Sequence, residues 1–151
     1  MKGQEKSMPK ITITPEDILK GKLHVPGWYK GEIAWASSKL SSKKDSMNYE
    51  YGLSYDTGDK RQGYETREIK SLFNSKAIGF MVPFAAALAN MNEKEFRDKI
   101  LKESQSIDLQ WDDSLKGRKI QFEIKNAPRE DNGQLSSKVI NFAPYDFKLP
   151  F

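Results

Sequence analysis

The stretch Ala77-Ile78-Gly79-Phe80-Met81-Val82-Pro83-Phe84-Ala85-Ala86-Ala87-Leu88-Ala89-Asn90 is where the periodicity of the chain changes. Before it, apolar residues recur every second position. Within it they recur at helical spacing: Ile78, Met81, Val82, Ala85 and Leu88 on one face, Phe80, Phe84 and Ala87 on another. A helix apolar on most sides predicts burial. Pro83 marks either a kink or the true first turn. A second helix is predicted from Asn92 as its cap, with Glu93 and Glu95 in the first turn and Phe96, Ile100 and Leu101 packing inward.

Upstream lie three predicted strands. Trp28 to Ala36 places Tyr29, Ile33 and Trp35 on one face, with Gly31 suggesting a bulge or bend. Strand two puts Tyr49, Tyr51, Leu53 and Tyr55 on one face and Asn48, Glu50, Gly52 and Ser54 on the other. Asp56-Thr57-Gly58-Asp59 is turn chemistry, and strand three covers about Tyr64 to Phe73. Downstream, Arg118 to Lys125 alternates, with Ile120, Phe122 and Ile124 inward. A long polar connection, Asn126 to Ser137, contains the hairpin signal Asn132-Gly133, and Ser137 to Phe142 forms the last strand.

Three strands, a helical insert and a two-stranded hairpin are the order of the OB-fold, a five-stranded Greek-key barrel with its helix between strands 3 and 4. Other α+β folds share such orders. The expected organisation is an OB-fold-like domain over 1–142, mainly β. Residues 1–24 form an N-terminal extension with a short helix opened by Thr14-Pro15, and 143–151 form a C-terminal tail.

Composition narrows the chemistry. The chain has 151 residues, no cysteine and one histidine, His24. Disulfides, thiolate metal sites and cysteine nucleophiles are excluded, and a Ser-His-Asp triad is disfavoured. Asp112-Asp113 and the pair Asp56/Asp59 are the carboxylates that could hold Mg²⁺ for a small nuclease, but adjacent acids of this kind are ordinarily turn residues, and no third ligand has fixed spacing. The expectation is a protein that is not an enzyme, with no metal and no cofactor. Mean hydropathy is −0.73, and the longest largely apolar run is too short to span a bilayer, so a soluble, cytoplasmic chain with no membrane partner is expected.

The net charge is +4 and the pI about 9.1, with basic outer segments around a mildly acidic middle. Lys39, Lys43 and Lys44 fall in or beside the loop between strands one and two, and Lys125, Arg129 and Lys138 on the strand 4–5 hairpin. In OB-folds these two loops border the nucleic-acid groove. Arg61 and Arg67 extend the track, and Trp35, Tyr49 and Tyr51 are the candidate base stackers, although the aromatics of the first three strands also read as core.

The tail ends Asp146-Phe147-Lys148-Leu149-Pro150-Phe151. It resembles a shortened form of the acidic tip of bacterial single-stranded-DNA-binding proteins, matching at Asp146, Phe147, Pro150 and Phe151, with Leu149 conservative and Lys148 where acids stand. The domain is similar to phage-encoded single-stranded-DNA-binding proteins through Pro26-Gly27-Trp28-Tyr29, Ser41-Ser42-Lys43-Lys44-Asp45-Ser46-Met47-Asn48-Tyr49, Phe73-Asn74-Ser75-Lys76-Ala77-Ile78-Gly79-Phe80 and the hairpin from Asn126 to Phe142. The resemblance implies sequence-independent coating of single-stranded DNA in phage replication or recombination. Asp146, Phe147, Leu149, Pro150 and Phe151 would recruit replication or recombination proteins or occupy the chain's own groove. The alternative is a virion structural or interaction module, homo-oligomeric through the Phe80/Phe84 helix and without affinity for DNA.

Overall fold

Alternation in five segments becomes five antiparallel strands in the computed structural model, which describes residues 9–13, 23–58, 66–103 and 106–147. They are β1 (Gly27–Leu40), β2 (Met47–Asp56), β3 (Thr66–Asn74), β4 (Lys119–Pro128) and β5 (Leu135–Pro144). Between β3 and β4 come a 3-10 segment η1 (Ser75–Met81), helices α1 (Val82–Leu88) and α2 (Glu93–Glu103), and a 3-10 turn η2 (Asp113–Leu115). The helix expected at Thr14 and strand-three residue Tyr64 lie outside the described residues.

The strands form one sheet in the order β3-β2-β1-β4-β5. β1 is shared: its first half pairs with β4 and its second with β2. β3 and β5 are the two edges. Their Cα atoms approach within 8 Å, but no ladder joins them among the described residues. The expected five strands with a helical insert between the third and fourth are present, in an open sheet.

One face of the sheet carries the core: Ile33, Tyr51, Leu53, Ile69, Ile120, Phe122 and Ile124. Phe84 of α1, fully buried, closes it against the rings of Tyr51, Phe73, Trp111 and Phe142. Pro83 takes the first turn of α1, where its missing N–H breaks no bond. Asn92 caps α2 by accepting from the Glu95 N–H at 2.8 Å.

Five expectations need correction. Trp35 does not share a face with Ile33. Ile33 pairs with Leu53 but Trp35 with Gly52, so Ala34 is an extra residue. That bulge turns Trp35 to the outer face and Ala36 to the core. Gly31 is no bulge: a Cβ there would stand 2.3 Å from the Ser54 carbonyl, so it marks a close approach of strands. The stretch 77–90 is not one buried helix. Ala77 (φ −129°, ψ 45°) breaks the 3-10 segment, and Phe80 is 77% exposed; Leu101 of α2 is also exposed. Finally, β4 and β5 pair as far as Pro128 and Leu135, leaving only residues 129–134 as the hairpin loop.

Candidate functional site

The outer face of β1-β2-β3 follows from the register. Trp35, Ser37 and Lys39 of β1 stand beside Gly52, Glu50 and Asn48 of β2, which pair in turn with Lys70, Leu72 and Asn74 of β3. Gly52 leaves this face low. A Cβ there would lie 2.4 Å from Trp35 Nε1, so the indole rests directly on the backbone of β2. Its N–H donates to Glu68 Oε2 at 2.9 Å.

The β4–β5 hairpin forms the second wall. Between it and the sheet lies a groove of about 920 Å³ lined by Trp35, Glu50, Lys70 and Leu72 on the sheet side and by Arg129 and Lys138 on the hairpin side. Lys125 and Lys138 sit opposite each other across the β4–β5 ladder. Two like charges so placed repel, and an anion between them relieves the repulsion.

The β1–β2 turn closes one end of this face and is rigidly held. Ser41 N–H donates to Ser46 O at 2.9 Å, and Lys44 N–H to Ser41 O at 2.8 Å, with Lys44 at φ 58°. Asp45 accepts from Ser41 Oγ at 3.1 Å and pairs with Lys76 at 2.5 Å; the Lys76 bond foremost holds its carboxyl below the usual range. Lys43 and Lys44 are exposed on this turn. Neither has an acid within salt-bridge distance among the described residues, and the same holds for Lys70, Lys125 and Lys138.

The sequence-derived residues divide accordingly. Trp35, Arg129 and Lys138 meet in the groove. Lys39 is paired with Glu50 at 3.2 Å, and Arg129 is held by Asp131 through two bonds at 3.0 and 2.7 Å. Tyr49 faces inward, half-buried and edge-on to Trp111. Tyr51 is 1% exposed, so it is a core ring and not a stacking platform: even-numbered β2 residues face the groove, odd-numbered ones the core. Arg67 also turns away from the groove, donating to Leu23 O at 3.2 Å. Arg61, Leu149, Pro150 and Phe151 lie outside the described residues.

The root of the tail does not extend from the domain. Gln121 Nε2 donates to Pro144 O at 2.9 Å and to Phe147 O at 2.6 Å, folding residues 144–147 back over β4. Tyr145 lies against Lys30 and Lys119, whose Nζ atoms stand 5.0 and 5.4 Å from its ring centre. Asp146 is exposed and Phe147 half-buried. Lys70 is a groove residue that loop composition did not select; the alternation Glu68-Lys70-Leu72 in β3 carries the signal. Asp112 is a capping residue, accepting from Ser114 N–H at 2.8 Å. Among the described residues no group of three or more acids or histidines is placed to hold a metal ion, and no helix is long and apolar enough to cross a membrane.

His24 belongs to a separate polar cluster. Its N–H donates to Ser137 Oγ, its carbonyl accepts from Asn126 Nδ2, and its Nδ1 is hydrogen-bonded to the Tyr55 hydroxyl. This segment therefore straps β2 and β3 to the β4–β5 hairpin. Burial first, and the Arg67 charge second, lower the His24 pKa to about 4. In the unfolded chain it titrates near 6.5. Between those values the unfolded chain takes up a proton that the folded one refuses, so stability falls as pH drops from 6.5 through 4. Urea midpoints measured from about pH 7.5 to 5 are expected to fall for the wild type and to stay flatter for His24→Gln. Parallel profiles would show that the ring is not the titrating group.

No protein-family model and no curated protein matches the chain.

Proposed function

We propose that this chain is a non-catalytic protein that binds single-stranded DNA without sequence preference, its sheet curled as an OB-type barrel with β3 and β5 as the lips of the seam. The observation that carries the reading is the groove: an indole resting on the Gly52 backbone, flanked by Lys70 and Lys138, neither of which has an acid partner among the described residues. A flat ring and cations on opposite walls suit a strand whose bases stack and whose phosphates neutralise lysine. The approach of β3 to β5 and the sharing of β1 between β2 and β4 support the barrel. The phage replication or recombination setting, a cytoplasmic location and recruitment of partners by the tail rest on the resemblance alone.

Titration of oligo(dT) against tryptophan fluorescence at two salt concentrations tests the reading. Quenching that weakens with salt, and that duplex DNA competes poorly, is expected because Trp35 lies in the groove and the cations release counterions. Absence of any complex at low salt would remove the nucleic-acid function.

A second reading, a non-catalytic virion or interaction module, is favoured by the exposed Ile78 and Leu101. It requires self-association without DNA affinity.

A further inference from the structure

The β1–β2 turn and η1 are one unit. Asn74 Nδ2 donates to Ser46 Oγ at 2.9 Å, Met47 N–H to Ser75 Oγ at 2.9 Å, and Lys76 Nζ pairs with Asp45. The turn that presents Lys43 and Lys44 is thus stapled to the start of η1, and η1 carries Phe80. That ring is 77% exposed, while Phe84, four residues on, is completely buried. Gly79 beside it meets nothing within 4 Å of a built Cβ, so the surroundings are open. A phenyl ring standing in water forgoes burial that the adjacent core offers. The break at Ala77 and the three-residue period of η1 set its direction apart from that of α1.

The sequence placed Phe80 in a buried helix; the structure exposes it on the segment whose start is bonded to the turn that carries Lys43 and Lys44. Leu72, on the groove floor, is two residues before Asn74, the cap of η1, so the groove runs along β3 towards this unit. We infer that Phe80 is a further stacking residue, taking a base of the strand whose phosphates Lys43 and Lys44 hold. The inference rests on the proposed single-strand binding and extends the contact beyond the groove, along β3 and onto η1.

The test is oligo(dT) binding by Phe80→Ala and Phe80→Trp. Loss of a stacked base is expected to raise Kd about 5- to 150-fold for Phe80→Ala. The salt slope should not change, because no phosphate contact is lost. Phe80→Trp should bind like the wild type and add a quenched fluorophore. Since the ring is exposed, the thermal midpoint of Phe80→Ala should match the wild type, and its sedimentation should be unchanged. Wild-type affinity in Phe80→Ala overturns the inference while leaving single-strand binding intact. So does a loss of affinity that only accompanies dissociation of a dimer, which would make Phe80 a subunit contact. A wild-type chain that fails to bind oligo(dT) overturns both.

Discussion

Replacing Lys43 and Lys44 together by glutamate is expected to lower affinity for oligo(dT) by about 60-fold or more at roughly 50 mM salt, and to flatten the salt dependence by about 1.4. Both figures follow from loss of two phosphate contacts on a single strand, each contributing about 0.7 to the slope. The turn should survive the change. Its geometry is held by Ser41, Ser46 and the Asp45–Lys76 pair, and neither lysine has an acid partner among the described residues. Charge reversal therefore acts on the ligand and not on the fold. Binding isotherms at several salt concentrations read both quantities. An unaltered affinity and slope would place the phosphate path elsewhere, leaving Lys70, Lys125 and Lys138 as the cations to vary.

Phe84→Ala is expected to cost about 3–5 kcal/mol, the range for removing a phenyl ring from a packed site. For a chain of this length that lowers the thermal midpoint by roughly 10 °C. The reason is position as much as size. Phe84 is the point where α1 enters the core, and its ring lies 5.2–5.5 Å from those of Tyr51, Phe73, Trp111 and Phe142. Removing it opens a void among four rings held by different elements, so collapse is difficult. Differential scanning calorimetry checks this directly. A midpoint within about 2 °C of the wild type would mean that α1 contributes little to holding the sheet.

The contrast between Phe84 and Phe80 shows how far the sequence can be read. Strands were legible because each buries one face. The alternation Tyr49-Tyr51-Leu53-Tyr55 appears in the structure as written, as does the inward set Ile120, Phe122 and Ile124. Elements were legible for the same reason, down to Asn92 capping α2. What periodicity cannot supply is a break in the period. The stretch 77–90 gives a continuous helical pattern, yet Ala77 interrupts it and sends Phe80 outward. The groove was half legible. Lys138 and Arg129 were visible as hairpin charge, but Lys70 is a strand residue with no compositional mark. Arg129 and Lys39 proved to be tied to nearby acids. The folded-back root of the tail depends on one side chain, Gln121, reaching two carbonyls more than 20 residues away; no local rule reveals that bond.

Ala34 has a consequence of a different kind. Because it is inserted between two residues that already face opposite ways, a deletion there would leave every other side chain of β1 on its present side. The core set and the groove set would both keep their membership. The strand would lose instead the bend and added twist that a bulge confers, and with them the turning of the sheet that brings its two edges within 8 Å. The bend of β1 is therefore encoded by chain length at this position, as that of β5 is by the extra residue Ile140 opposite Glu123 and Ile124, separately from the pattern of polar and apolar residues.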